Sequence, residues 1–292
     1  MSASAPIRPR RSVLYMPASR ASALEKAKSL AADALIFDLE DAVAPDAKDA
    51  ARDQACAAAA SGAYGRREIV IRANGLNTPW GYADLAAIAQ SGAHAALLPK
   101  VESAAMLAQA AQVLDEAGAP AEMALWAMVE TPLAMLQIQD IARAPRLACL
   151  VMGTSDLAKD LNAVHTPDRL PFVTGLGLCL LAARAYGLAI LDGVHLNLGD
   201  DAEFDAHCRQ GREMGFDGKT LIHPKQVEPA NAAFGPSDAQ VDEARRIIAA
   251  HAEAEAKGQG VVLLDGKLIE NLHVVGAHRT VALAEAIAAL AA

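Results

Sequence analysis

The chain has 292 residues, 53% of them apolar and 4% aromatic, and carries a formal net charge of −9. The apolar share is enough to bury one large core or two ordinary ones, and the acidic balance without a basic stripe argues against nucleic acid as a partner. No stretch approaches the roughly 20 apolar residues of a membrane span. The basic start MSASAPIRPRR is not followed by the apolar core of an export signal, so a cytoplasmic protein is expected. Cys56, Cys149, Cys179 and Cys208 form no CxxC pair, the pattern of reduced thiols in a cytosolic protein.

Strand-like and helix-like runs alternate along the first three quarters of the chain. SVLYMP precedes a helix over residues 19–31, and ALIFDLED (Ala34 to Asp41) precedes one over 46–60. EIVIRANG (Glu68 to Gly75) leads to 79–90, and AALLPK (Ala95 to Lys100) to 103–117. MALWAMVE (Met123 to Glu130) leads to 132–142, and LACLVMGTSD (Leu147 to Asp156) to 156–161 and then 171–186. LAILD (Leu188 to Asp192) leads to 201–214, and GKTLIHP (Gly218 to Pro224) to 225–234. Thr78-Pro79 and Thr131-Pro132 predict capping threonines with proline at the first helical position.

Eight β-then-α units predict a (β/α)8 TIM barrel, a fold of roughly 250 residues. The strands are apolar on both faces, as parallel strands under helices should be. Nearly every run ends on a charged side chain, which suits a barrel that builds its site at the carboxyl ends of its strands. A doubly wound sheet is the alternative, and it would gather such groups at one crevice only. The expected division is a barrel domain at 1–235 and a C-terminal helix with a lid segment at 236–292. In that tail a helix over 237–257 ends at Gly258-Gln259-Gly260, VVLLDGKLI reads as a hairpin around Asp265-Gly266, and a final helix runs over 271–290. The tail reads as a lid or subunit-swapped segment packing on a neighbouring subunit, or as a packing appendage.

Glu130 and Asp156 stand at or just past neighbouring strand ends, where two carboxylates can share Mg²⁺, or Mn²⁺ in its place. The bland reading is that each caps the helix that follows. No His/Cys cluster has the spacing of a zinc site. Asp38, Glu40 and Asp41 are a dense acidic group that needs compensating cations or waters. They would hold metal-bound waters or a substrate-binding cation, or simply form an acidic helix start. Arg72 suits bidentate binding of a substrate carboxylate, a salt bridge to the acidic group being compatible with that role. Lys100 can pair with Glu130 or the Asp38 group, or touch substrate; the surrounding carboxylates disfavour a Schiff base. His223 is read as orienting the loop before Pro224. No nucleophile triad, Walker loop or GxGxxG is present.

The stretches RSVLYMPASR, FDLEDAV, VIRANG, LLPKVES, VETP, MGTSDLAKDL, GFDGKTLIHPKQV and LLDGKLIE, in this order, resemble the citrate lyase β-subunit-like proteins of the HpcH/HpaI aldolase superfamily, relatives of malyl-CoA and citramalyl-CoA lyases. The resemblance spans essentially the whole chain. It implies a homotrimer or hexamer, Mg²⁺ on Glu130 and Asp156, and CoA near Arg20 with a neighbour's lid above it. It implies cleavage of a malyl-, citramalyl- or citryl-CoA into an acyl-CoA and a 2-oxo acid. The expected catalytic residues are Arg72, Glu270, Asp38 and Asp41; the expected substrate-binding residues are Arg72, Glu130, Gly153, Arg20 and Lys100. Two departures stand out. Glu270 occupies the place of the lid aspartate, without the proline that often follows, and Ala18 stands where glycine is usual. Alternatives are a metal-dependent aldolase on free 2-oxo-4-hydroxy acids, a weakly active CoA-ester-binding protein, and a complex subunit acting on a carrier-protein thioester.

Overall fold

The structure is a computed structural model and describes residues 7–291; residues 1–6 of the basic N-terminal stretch lie outside them. Eight parallel strands close into a barrel in sequence order. They are β1 (Ser12–Pro17), β2 (Ala34–Asp38), β3 (Glu68–Arg72), β4 (Ala95–Leu98), β5 (Ala124–Val129), β6 (Leu147–Met152), β7 (Ala189–Asp192) and β8 (Gly218–Leu221). Closure comes from β8 pairing with β1, with Ser12 opposite Lys219 and Val13 opposite Thr220.

The helices of this part are α1 (Ala21–Ala27), α2 (Lys48–Ala60), α3 (Gly81–Ala89), α4 (Ala104–Glu116), α5 (Pro132–Leu136), α6 (Ile138–Ile141), α7 (Thr154–Asp160), α8 (Leu170–Ala185), α9 (Asp201–Met214) and α10 (Val227–Phe234). Thr131 caps α5 as expected, its Oγ1 accepting the Ala134 N–H at 3.2 Å with Pro132 at the first turn. Thr78 does not cap α3. Its hydroxyl donates to the Gly75 carbonyl at 2.7 Å, a local turn that delays the helix until Gly81, after Trp80. The expected single helix over 132–142 is two pieces, interrupted at Gln137 (φ −98°, ψ 8°).

The alternating side chains of the strands build two cores. Val13, Ile36, Val70, Leu97, Trp126, Met128 and Val151 fill the lumen. Leu14, Leu35, Phe37, Ile71, Leu98, Val129 and Leu150 face the helices, where small residues such as Ala51, Ala55, Ala110 and Ala183 allow close approach. The lower end of the lumen is stoppered by Arg10, which lies 5.0 Å from the Trp126 ring centroid and pairs with Glu68 at 2.6 Å. All four cysteines are free thiols, Cys149, Cys179 and Cys208 buried. Among the described residues no helix is long and apolar enough to cross a membrane.

The chain falls into two compact units: Arg10–Phe234, which is the barrel, and the residues from Gly235 on together with the described residues before Arg10. In the second unit α11 (Asp238–Ala256) packs against α12 (Asn271–Ala291). Between them β9 (Val262–Leu264) and β10 (Lys267–Ile269) pair antiparallel, with Leu264 opposite Lys267. The two-residue turn is Asp265-Gly266, both at positive φ (51° and 77°), which is why glycine and a small acidic residue stand there.

Candidate active site

Register sets the centre of the barrel mouth. Asp38, the last residue of β2, lies directly opposite Arg72, the last of β3. Both point into the lumen and both are buried, at 2% and 7% exposure. Arg72 Nε and Nη2 donate to the two Asp38 oxygens at 2.6 and 2.7 Å, a bidentate fork. Glu40 Oε2 lies 2.7 Å from Arg72 Nη1 as a charge contact, and Asp41 Oδ2 lies at 3.6 Å. The Tyr15 ring stands below, its centroid 5.0 Å from the guanidinium carbon. Burial alone would favour a neutral Arg72, but Asp38, Tyr15 and Glu40 hold it firmly charged. The acidic group therefore has its compensating cation in Arg72. Burial pushes the Glu40 carboxyl up, with Arg72 pulling the other way and Asp41 adding to the push.

Glu130 follows β5 and is 2% exposed. Its Oε1 accepts the backbone N–H of Lys100 at 2.7 Å. Burial pushes its carboxyl up to about 7; the Lys100 amide and ammonium pull down, while Glu40 and Asp156 push further up. Gly153, after β6, makes room for it: a Cβ there would lie 2.3 Å from Glu130 Cβ and 2.5 Å from Oε2. Glu130 does not cap α5, since Thr131 does. Asp156 does not cap α7 either. It sits in the first turn, two residues after the helix begins at Thr154, and its side chain is 31% exposed. Lys100 connects the set. Its Nζ reaches Glu40 Oε1 at 3.1 Å and Asp156 Oδ2 at 4.0 Å.

Glu130 and Asp156 suit Mg²⁺, which takes one or two protein carboxylates and completes its shell with water and substrate oxygens. Among the described residues no group of three or more His, Cys, Asp or Glu could hold a metal. The Glu130 carboxylate is held in place for that use by the Lys100 N–H on Oε1 at 2.7 Å and by its close packing against Gly153.

Other expected residues are placed as follows. Arg20 is exposed in the loop after β1, at the start of α1. His223 orients its loop: Nδ1 accepts the Lys225 N–H at 3.1 Å, and Gln226 caps back. Asp192 ends β7 but turns away from the lumen. It is fully buried between Arg169 and Lys219, at 2.7 and 2.8 Å, so a charged strand end is not by itself a site residue. In the second unit Glu270 is exposed just before α12, its backbone N–H donating to His273 Nδ1 at 3.0 Å. Sequence reasoning missed Tyr15, whose inward position follows from its two-residue spacing from Val13. It also missed Glu102, which accepts the Thr131 hydroxyl at 2.8 Å and ties the β4 and β5 loops together.

The closed barrel is of the TIM class, and its arginine–carboxylate fork and two further carboxylates lie at the carboxyl ends of the strands, where TIM-barrel enzymes carry their sites. A profile of the HpcH/HpaI aldolase/citrate lyase family matches residues 11–224. The chain belongs to that family. It is 54% identical over 284 residues to a (3S)-malyl-CoA thioesterase of Cereibacter sphaeroides, covering 97% of this chain and 98% of the relative. It is 34% identical over 283 residues to citrate lyase subunit beta of Leuconostoc mesenteroides subsp. cremoris, covering 95% and 94%. Among solved structures, CitE of Mycobacterium tuberculosis in complex with magnesium, acetoacetate and coenzyme A matches with a TM-score of 0.75 at 28% identity, covering 98% of this chain and 100% of that one.

Proposed function

We propose that this protein processes a short CoA thioester bearing a hydroxyl and a free carboxylate, (3S)-malyl-CoA foremost, and that it hydrolyses the thioester to the free acid and CoA. The observation that carries the reading is the 54% identity, over 97% of the chain, with a (3S)-malyl-CoA thioesterase. The sequence reading expected carbon–carbon cleavage of such a thioester. Cleavage remains the second reading, supported by the family and by the similarity to citrate lyase subunit beta; from malyl-CoA it would yield acetyl-CoA and glyoxylate. The two differ in one product-determining event: water adds to the thioester carbonyl in the first, and the bond beside the hydroxyl-bearing carbon breaks in the second.

The residues divide the work in either case. Glu130 and Asp156 would hold Mg²⁺, which when bound supplies a Lewis acid for substrate oxygens. Arg72, fixed by Asp38 from the side, would offer Nη1 to the substrate carboxylate in place of Glu40. Arg20 is assigned to the CoA end. Glu270 is assigned the proton transfer: general base for water in hydrolysis, or donor to the enolate carbon in cleavage. The tail exposes Leu263, Leu268, Leu272 and Val275 at 52–70%, which supports its packing on a neighbouring subunit in a homotrimer or hexamer.

The test is a panel of malyl-, citramalyl- and citryl-CoA alongside the free hydroxy acids, reading thiol release and 2-oxo acid separately. Thiol release from malyl-CoA that EDTA abolishes upholds the proposal. Turnover of the free acids alone would replace it with the aldolase reading.

A further inference from the structure

Lys100 has a backbone that most residues avoid. Its φ is +49°, the left-handed region that strains a residue with a Cβ. The conformation aims its N–H at Glu130 Oε1, 2.7 Å away. Glycine would adopt this backbone without strain and supply the same N–H. The side chain therefore has to be explained by what the ammonium does.

The ammonium stands 3.1 Å from Glu40 and 4.0 Å from Asp156. Lys100 thus bears on both carboxylates assigned to the metal, bonding Glu130 through its amide and placing its charge 4.0 Å from Asp156. The side chain is 49% exposed, so the ammonium has open space to swing into. Arg72, a second cation beside Glu40, is buried and locked onto Asp38. A divalent cation arriving beside Glu130 and Asp156 would meet the Lys100 charge within a few ångströms and be repelled by it if the side chain stayed put.

We propose that the Lys100 ammonium is a resident counter-cation of the metal site: it neutralises Glu40 and Asp156 in the metal-free protein, competes with the divalent ion, and swings toward solvent when the ion binds. This rests on the assignment of the metal to Glu130 and Asp156. The displaced ammonium is then free for an anionic group of the substrate, so metal and substrate binding are coupled: an anion that holds the ammonium away from Asp156 strengthens metal binding. Because the backbone N–H stays on Glu130 whatever the side chain does, the loop keeps its shape while the charge moves.

The experiment is Mn²⁺ binding to the full-length protein without substrate, by calorimetry or electron paramagnetic resonance, at pH 8.5. Lys100→Met and Lys100→Gly both remove the charge, and the glycine variant also relieves the backbone, which guards against a folding artefact. Both should bind Mn²⁺ roughly tenfold more tightly than the wild type at low salt. The gain should shrink as ionic strength rises, and Lys100→Arg should stay near wild type. Equal or weaker binding by both charge-removing variants overturns the proposal. Glu130→Gln separates the two layers. Mn²⁺ binding that survives Glu130→Gln would overturn the metal assignment itself; binding lost in Glu130→Gln but unchanged in the two variants would overturn the role of the lysine alone.

Discussion

Gly153 and Glu130 occupy neighbouring strand ends so closely that a single methyl group on the glycine would collide with the glutamate, at 2.3 Å from its Cβ and 2.5 Å from its Oε2. Gly153 is itself buried and hydrogen-bonded through its N–H to the Val129 carbonyl at 3.0 Å, so the backbone has little freedom to retreat. Gly153→Ala should displace the Glu130 carboxylate and lower turnover about 100-fold or more, at a stability cost of about 1–3 kcal/mol. Steady-state kinetics beside a urea titration checks both numbers. Near-normal turnover would mean that the Glu130 position is not critical.

The Arg72–Asp38 fork is buried, so breaking it exposes no new water to the partner left behind. Arg72→Met should destabilise the barrel by about 3 kcal/mol, because Asp38 then loses its cation and keeps only the Glu40 and Ala42 N–H groups, at 2.9 and 3.2 Å. Asp38→Asn should cost less, since Glu40 remains 2.7 Å from the guanidinium. Chemical denaturation of the two variants gives the order directly, and an inverted order would contradict the compensation described for the acidic group.

A buried histidine pair sets a pH response away from the chemistry. His195 and His207 meet Nδ1 to Nδ1 at 3.1 Å, facing Lys219, Arg169 and Glu203. Burial lowers His207 to about 4, with Lys219, Arg169 and His195 adding to the effect, and burial lowers His195 as well. Unfolded histidine titrates near about 6.5, so between that pH and about 4 the unfolded chain binds a proton that the folded one refuses. Stability therefore falls as pH drops through this window and levels off below it. Relative to His207→Gln, the wild type should lose more stability between pH 7 and pH 5, on the order of 1 kcal/mol. Parallel pH dependences would show that His207 is free to protonate in the folded state.

The Glu270 carboxylate is one methylene longer than the aspartate that the family resemblance implies at this place. If it carries the proton transfer, Glu270→Ala should reduce kcat far more than it weakens CoA product binding. Glu270→Asp should shift the ratio of 2-oxo acid to free thiol toward cleavage. An unchanged kcat in the alanine variant would leave Glu270 without a chemical role.

Much of the barrel was legible because its signals are local and periodic. Apolar runs bounded by turn residues gave the strands, and Asp265-Gly266 gave the hairpin. The helix starts were less secure: Thr131 and Thr78 both precede proline, yet only Thr131 caps, because Thr78 turns its hydroxyl to Gly75. At the site, charged strand ends pointed to Arg72 and Glu130, but the same rule would have admitted Asp192, which faces outward to Lys219 and Arg169. Telling these apart needs the inward or outward parity of each strand, which one-residue uncertainties in the strand bounds erase. The dependence of Glu130 on Gly153, and the contact of Lys100 with two carboxylates, join residues 23 to 60 positions apart in sequence; only the closed register brings them together.

The most direct measurement is the fate of (3S)-malyl-CoA with wild type, Glu130→Gln and Asp156→Asn, each with Mg²⁺ and with EDTA, products separated by mass spectrometry. The account predicts malate and free CoA from the wild type with Mg²⁺, and neither product from the two variants or after chelation. Malyl-CoA left intact by the wild type, or consumed equally well by the variants, would contradict it.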